Sequence, residues 1–131
     1  MTVRILLVDD NATFLATIRK CLSFLPEVLI VDEAHNGHEA LSKAMQLQPD
    51  LVLMDIVMPE MSGLEAARVM QQWAHPPRIV FLSMHDNESY RAAVPELGVL
   101  AFVNKADFVA ELMPLISTLK MSPTEVPRDE T

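Results

Sequence analysis

Apolar residues along this chain follow two alternating rhythms. Short continuous apolar runs mark strands buried on both faces, and between them apolar residues recur at helical spacing. Val3 to Val8 is the first run, with Ile5, Leu6 and Leu7 inside it. After Asp9, Asp10 and Asn11, the residues Phe14, Ile18, Cys21, Leu22 and Leu25 share one helical face, and Pro26 is expected to end that helix. Val28 to Val31 predicts a second strand and Asn36-Gly37 a turn. Ala40, Leu41, Ala44 and Leu47 line a second helix, broken at Pro49-Asp50. Leu51 to Met54 predicts strand three, and a helix follows from about Ser62 to Trp73. His75, Pro76 and Pro77 form the next loop, and Ile79 to Leu82 predicts strand four. Tyr90, Ala93, Val94 and Leu97 line a fourth helix that Pro95 should shorten or kink and Gly98 should cap. Val99 to Val103 predicts strand five. Phe108, Leu112, Leu115, Ile116 and Leu119 form the stripe of a last helix, with Pro114 expected as a kink on its outer face. Residues 1–120 are thus the expected folded domain, and the aperiodic segment 121–131 a flexible tail or the start of a linker.

Strand and helix alternate five times, the pattern of an α/β protein with a parallel sheet covered on both faces. Right-handed crossovers leave few arrangements. The doubly wound, flavodoxin-like order 2-1-3-4-5 is the expected one. All the glycines (Gly37, Gly63 and Gly98) fall at predicted turns or caps, in agreement with it.

Composition narrows the function. A chain of 131 residues fits one domain of ordinary size. Its net charge of -8 argues against binding DNA or an anionic membrane by charge alone, and suits protein partners. Cys21 is the lone cysteine, most simply part of the core, which leaves no disulfide framework and points to a reducing, cytoplasmic setting. The opening MTVRILLVDD has too short an apolar run for a signal peptide, and no run approaches the roughly 20 residues of a membrane span.

The predicted order brings chemistry to one edge. In such a sheet, ligands bind beyond the carboxyl ends of the strands, at the switch point between strands one and three. Strand one ends in Asp9-Asp10, strand three in Asp55, strand four in Ser83, and strand five in Asn104-Lys105. Strand two offers no equivalent group. Carboxylates gathered in this way repel one another unless their pKa values rise or a cation joins them. Oxygen-only ligands suit Mg²⁺. A divalent ion and Lys105 together would balance the three negative charges, so an incoming phosphoryl group would meet cations rather than bare carboxylates. Asp55, alone at the end of the central strand, is the candidate nucleophile for an aspartyl phosphate. Asp10 would be a direct metal ligand, and Asp9 a ligand or a water-mediated neighbour. Lys105 and the Ser83 hydroxyl would each contact a phosphoryl oxygen.

Each group has an ordinary reading on its own. Asp-Asp after a strand is commonly a turn or helix cap, Ser83 could cap a helix, Phe102 could be core, and a lysine before a helix is usually solvated. Their convergence is what points to a site. His35 and His38 lack further ligands nearby and fit a solvated helix start. His85, two residues after Ser83, borders the expected site, and Val57, two after Asp55, is its counterpart across it. Trp73 is expected away from the site.

These residues resemble the receiver domain of two-component response regulators over residues 3 to 120. VDD at 8–10 matches the family's acidic pair, LMDIVMPEMSG at 53–63 its phosphoacceptor segment, LSMHD at 82–86 its hydroxyl motif, and GVLAFVNK at 98–105 its strand-five motif. The resemblance implies a role for each position. Asp55 would accept the phosphoryl group. Asp9, Asp10, Asp55 and the backbone carbonyl of Val57 would hold Mg²⁺. Ser83 and Phe102 would be the switch pair, and Lys105 the phosphate-contacting lysine. It further implies that a histidine kinase or phosphotransfer protein is the donor, and that catalysis is limited to the domain's own phosphorylation and dephosphorylation. After phosphorylation Ser83 would be drawn in, Phe102 would move inward, and the face formed by helix four, strand five and helix five would change.

Lys105 is followed by Ala106, where many receivers carry a cis-proline; receivers that precede a helix-turn-helix domain often lack it, and KADFVAELMPLI is in their style. An N-terminal portion of a DNA-binding regulator is therefore expected, with nucleic acid bound only by a further domain. A free-standing relay or adaptor receiver is the alternative, and a homodimer through either of two helix faces fits both. Two other classes fit the residues less well. A phosphatase of the haloacid-dehalogenase type wants a second acid where Asn11 stands and also a cap domain. A flavin binder wants a Gly- or Ser/Thr-rich phosphate loop where DDNATF offers acids.

Overall fold

The computed structural model describes residues 2–121. Five parallel strands lie in the order β2-β1-β3-β4-β5: β1 (Val3–Val8), β2 (Val28–Ala34), β3 (Leu51–Asp55), β4 (Arg78–Ser83) and β5 (Ala101–Asn104). The helices are α1 (Ala12–Leu22), α2 (Gly37–Leu47), α3 (Gly63–Met70), α4 (Glu88–Leu97) and α5 (Phe108–Met121), with a 3₁₀ turn at Lys105–Asp107. The expected doubly wound sheet is therefore the observed one. The rest of the expected tail, 122–131, lies outside the described residues.

The strands are apolar throughout because both faces of the sheet are covered. In β3, Leu51 and Leu53 join a core against α1 and α5 with Ile5, Leu7, Val80 and Leu82. Val52 and Met54 point the other way, into a core against α2, α3 and α4 with Leu6, Val8, Ile79 and Phe81. All five residues of β3 are buried. The central strand thus has no freedom to slip, since a one-residue shift would exchange its two faces.

Several boundaries differ from the sequence expectation for identifiable reasons. Helix α1 stops at Leu22 rather than near Leu25, because the Phe24 and Leu25 N–H groups bond only three residues back, to the Cys21 and Leu22 carbonyls, and the Ser23 hydroxyl donates to the Lys20 carbonyl. Strand β2 runs on to Ala34; its outer half, with Asp32 and Glu33, is an edge paired only to β1 and so carries polar residues. Helix α3 ends at Met70, short of Trp73. The side-chain nitrogen of Gln71 instead donates to the carbonyls of Leu97 and Gly98, 2.8 Å each, tying the ends of α3 and α4. Helix α4 runs past Pro95 to Leu97 before Gly98, at φ 70°, closes it. The Val99 N–H bonds back to the Val94 carbonyl of α4 and the Leu100 N–H reaches the Ile79 carbonyl of β4, so Val99 belongs to the helix closure and β5 begins at Ala101. Helix α5 continues through Pro114.

Candidate functional site

Each strand end delivers its side chain for a local reason. Asp9 is buried after β1, and its Oδ1 accepts the Asn11 N–H at 2.9 Å. Asn11 in turn caps α1 by accepting the Phe14 N–H at 3.0 Å. The Asp-Asp-Asn run is therefore both helix start and site wall. Asp55 closes β3, and the chain beyond it is folded back so tightly that a Cβ on Gly63 would stand 2.2 Å from the Asp55 carbonyl oxygen. A capping box between Ser62 and Glu65 starts α3 directly after that approach. Ser83 is buried at the end of β4, and its hydroxyl accepts the His85 N–H at 2.9 Å. Asn104 Oδ1 accepts the Ala106 N–H at 2.9 Å. A proline at 106 could not donate that bond, and the Lys105–Ala106 peptide is trans.

The predicted residues meet. Asp9, Asp10, Asn11, Asp55, Val57, Ser83, Met84, His85 and Lys105 line one cleft of about 200 Å³ beyond the carboxyl ends of β1, β3 and β4. Strand β2 contributes nothing to it, as expected. Lys105 Nζ lies 2.6 Å from Asp9 Oδ2 and 3.3 Å from Asp55 Oδ2. Val57 and Met84, 50% and 65% exposed, form an apolar rim, and neither side chain can serve as a base for water.

The electrostatics suit a cation. Asp9, Asp10 and Asp55 each offer a ligand oxygen, all within 4.8 Å of one another. Asp9 Oδ2 is buried, and Lys105 Nζ at 2.6 Å is its ion-pair partner. Burial, and then the neighbouring negative charge of Asp9, push the Asp55 carboxyl up to about 6; Lys105 and the Val57 N–H act against that rise. One lysine between two buried carboxylates, with Asp10 beside them, leaves an excess of negative charge that a further cation would offset. The all-oxygen donor set fits a hard divalent ion such as Mg²⁺.

Phe102, the expected partner of Ser83 in the switch, is buried. Its ring already packs inward, 9% exposed, against the core under α4. Arg91 of α4 covers it, 4.9 Å from guanidinium carbon to ring centroid. Arg91 is held by a two-point ion pair to Asp86, Nε–Oδ1 2.6 Å and Nη2–Oδ2 2.8 Å.

Three features escaped the sequence. Phe14 was legible only as part of the helix-one stripe, yet its ring faces the Lys105 ammonium at 4.6 Å. Met84 and Asp86 lie within the LSMHD segment, but nothing in it marks Met84 as part of the rim or pairs Asp86 with Arg91. His35, by contrast, stands at the helix start as expected, paired to Glu39 at 3.0 Å. Trp73 lines a groove with Asp50, Pro77 and Arg78, at the far end of the sheet from Asp55.

The sequence profile described as the response regulator receiver domain matches residues 5–117. A protein-glutamate methylesterase/protein-glutamine glutaminase of Carboxydothermus hydrogenoformans is 37% identical over 84% of the chain, which covers 31% of that relative. The transcriptional regulatory protein DegU of Brevibacillus brevis is 30% identical over 88% of the chain, which covers 50% of it. The chain thus spans half or less of the length of these relatives. A LuxR-family two-component response regulator from an Aurantimonas species superposes with a TM-score of 0.84 at 32% identity, over 95% of this chain and 92% of that one. No helix among the described residues is long and apolar enough to cross a membrane. Because the matched segment runs from β1 into α5, across every strand that builds the cleft, the chain belongs to the response regulator receiver domain family of two-component systems.

Proposed function

We propose that Asp55 is the phosphoacceptor of this receiver. The observation that carries it is the setting of this one carboxylate: buried at the end of the central strand, 3.3 Å from Lys105 Nζ, and within ligand reach of Asp9 and Asp10. An ionised Asp55 oxygen attacks the phosphorus of a phosphohistidine on a sensor kinase or phosphotransfer protein. The new O–P bond forms as the P–N bond breaks. The electron pair stays on the imidazole nitrogen, which takes a proton from solvent. Lys105 and the Ser83 hydroxyl face the transferred oxygens.

Asp9, Asp10, Asp55 and the backbone carbonyl of Val57 would hold Mg²⁺. When bound, the ion supplies positive charge between the acceptor carboxylate and the phosphoryl group. Such donors act in the cytoplasm, which is where the chain would work.

The output lies beyond this domain. We infer a DNA-binding regulator, supported by Ala106 after Lys105 and by the likeness to DegU. The 37% identity to a methylesterase supports a second reading, in which the domain gates an attached enzyme. The sequence encoded downstream of Thr131 distinguishes the two.

Incubation with phosphoramidate tests the acceptor. Phosphoryl incorporation should require Mg²⁺ and stop with a chelator; incorporation indifferent to chelation contradicts the proposal.

A further inference from the structure

Phe14 has no part in the chemistry above, yet its ring is the third partner of Lys105. The ammonium lies 4.6 Å from the Phe14 centroid, alongside Asp9 at 2.6 Å and Asp55 at 3.3 Å. Lys105 is nearly fully buried, so this contact is largely shielded from water and correspondingly stronger. The Phe14 ring is itself fixed. Phe108, buried at the start of α5, meets it edge-on with centroids 5.3 Å apart and planes at 69°.

The three partners of Lys105 are not equivalent. Asp9 and Asp55 are also members of the carboxylate cluster. A divalent cation draws on those same two carboxylates and repels the ammonium. A lysine held by carboxylates alone would be released when the cluster fills. The Phe14 face is the one partner on which the cation makes no claim.

We infer that Phe14 is a positioning residue, whose ring keeps the Lys105 ammonium beside Asp55 when the carboxylates are shared with a divalent ion. The inference rests on the phosphoacceptor reading of Asp55 for its consequence, though not for its geometry. A purely structural Phe14 would only fill space at the start of α1. Leucine would fill that space nearly as well, whereas tyrosine would keep the aromatic face.

The test uses the full 131-residue chain as wild type, Phe14→Leu and Phe14→Tyr, with ¹³C-labelled lysine. The Lys105 ε-methylene signal is assigned by its loss in Lys105→Arg. In wild type and Phe14→Tyr it should be shifted upfield by the ring current, with and without saturating Mg²⁺. In Phe14→Leu the shift should disappear. The initial rate of phosphoramidate labelling in Mg²⁺ should fall by about three- to tenfold in Phe14→Leu and stay within about twofold in Phe14→Tyr, the range a desolvated cation–π contact supplies. A wild-type signal that returns to its ordinary position on Mg²⁺ addition overturns the inference. So does a Phe14→Leu chain that labels as fast as wild type, or a Phe14→Tyr chain as slow as Phe14→Leu. If no chain takes label, the phosphoacceptor reading fails, and the methylene shift still decides whether Phe14 holds Lys105.

Discussion

Arg91 lies over Phe102, its guanidinium 4.9 Å from the ring centroid, with the aromatic ring already packed against the core. Phe102 therefore has little inward path left to travel. Any change on the α4–β5–α5 face should begin with the covering arginine and the Asp86 carboxylate that orients it, three residues beyond Ser83. Asp86→Asn is expected to free Arg91 and increase the mobility of the Phe102 ring. Aromatic relaxation measurements by NMR check this, and the effect should be mimicked by high salt, because the pair is exposed. A Phe102 ring equally rigid in the variant would leave Arg91 without a role.

The carboxylate cluster predicts a pH dependence of stability in the protein treated with a chelator. The Asp55 carboxyl is raised from its ordinary 3.8 to about 6, so the folded state holds its proton more tightly than the unfolded chain. The stabilising contribution is complete below pH 3.8, declines as pH rises, and is lost above about 6. Asp55→Asn should accordingly be more stable than wild type at pH 7, by on the order of 1–2 kcal/mol after allowance for solvent screening. Denaturant midpoints from pH 4 to 7 should show the gap opening across that window. A gap that narrows as pH rises would contradict the account.

Gly63 should tolerate no side chain. An added Cβ would meet the Asp55 carbonyl oxygen at 2.2 Å and the Ile56 Cα at 3.0 Å, both of them backbone atoms that cannot swing aside. Gly63→Ala is expected to cost more than about 2 kcal/mol in urea unfolding, as overpacking against a fixed neighbour does. It should also slow labelling of Asp55 by moving the strand end. An unperturbed variant would mean that the loop is far softer than its contacts suggest.

The apolar rim bears on the lifetime of the product. The Val57 side chain offers no hydrogen bond to orient a water at Asp55, and Met84 lines the same mouth. The phosphorylated protein should persist, and Val57→Asn should shorten its half-life severalfold, as a water-orienting group does. Rapid dephosphorylation unaffected by that change would remove Val57 from the account.

The strand ends were legible because a parallel sheet converts scattered positions into one edge: Asp9, Asp10, Asp55, Ser83 and Lys105 needed only the order of elements to meet. What was not legible depends on contacts between elements. Phe14 sits at core spacing, and nothing local says that its ring faces Lys105. Arg91 reaches Phe102 from another element, so its covering role has no periodicity to reveal it. The outer half of β2 hid for the opposite reason: an edge strand may carry Asp32 and Glu33 without losing its pairing to β1. Gly63 looks in sequence like a turn residue, while its actual requirement is the close approach of the Asp55 carbonyl.

The most direct test of the central claim is intact-mass spectrometry of wild type and Asp55→Asn after incubation with a small phosphodonor and Mg²⁺. Wild type should gain the mass of one phosphoryl group, located on Asp55 by peptide mapping, and the variant should gain none. A comparable gain on Asp55→Asn would show that the phosphoryl group lands elsewhere and would contradict the assignment.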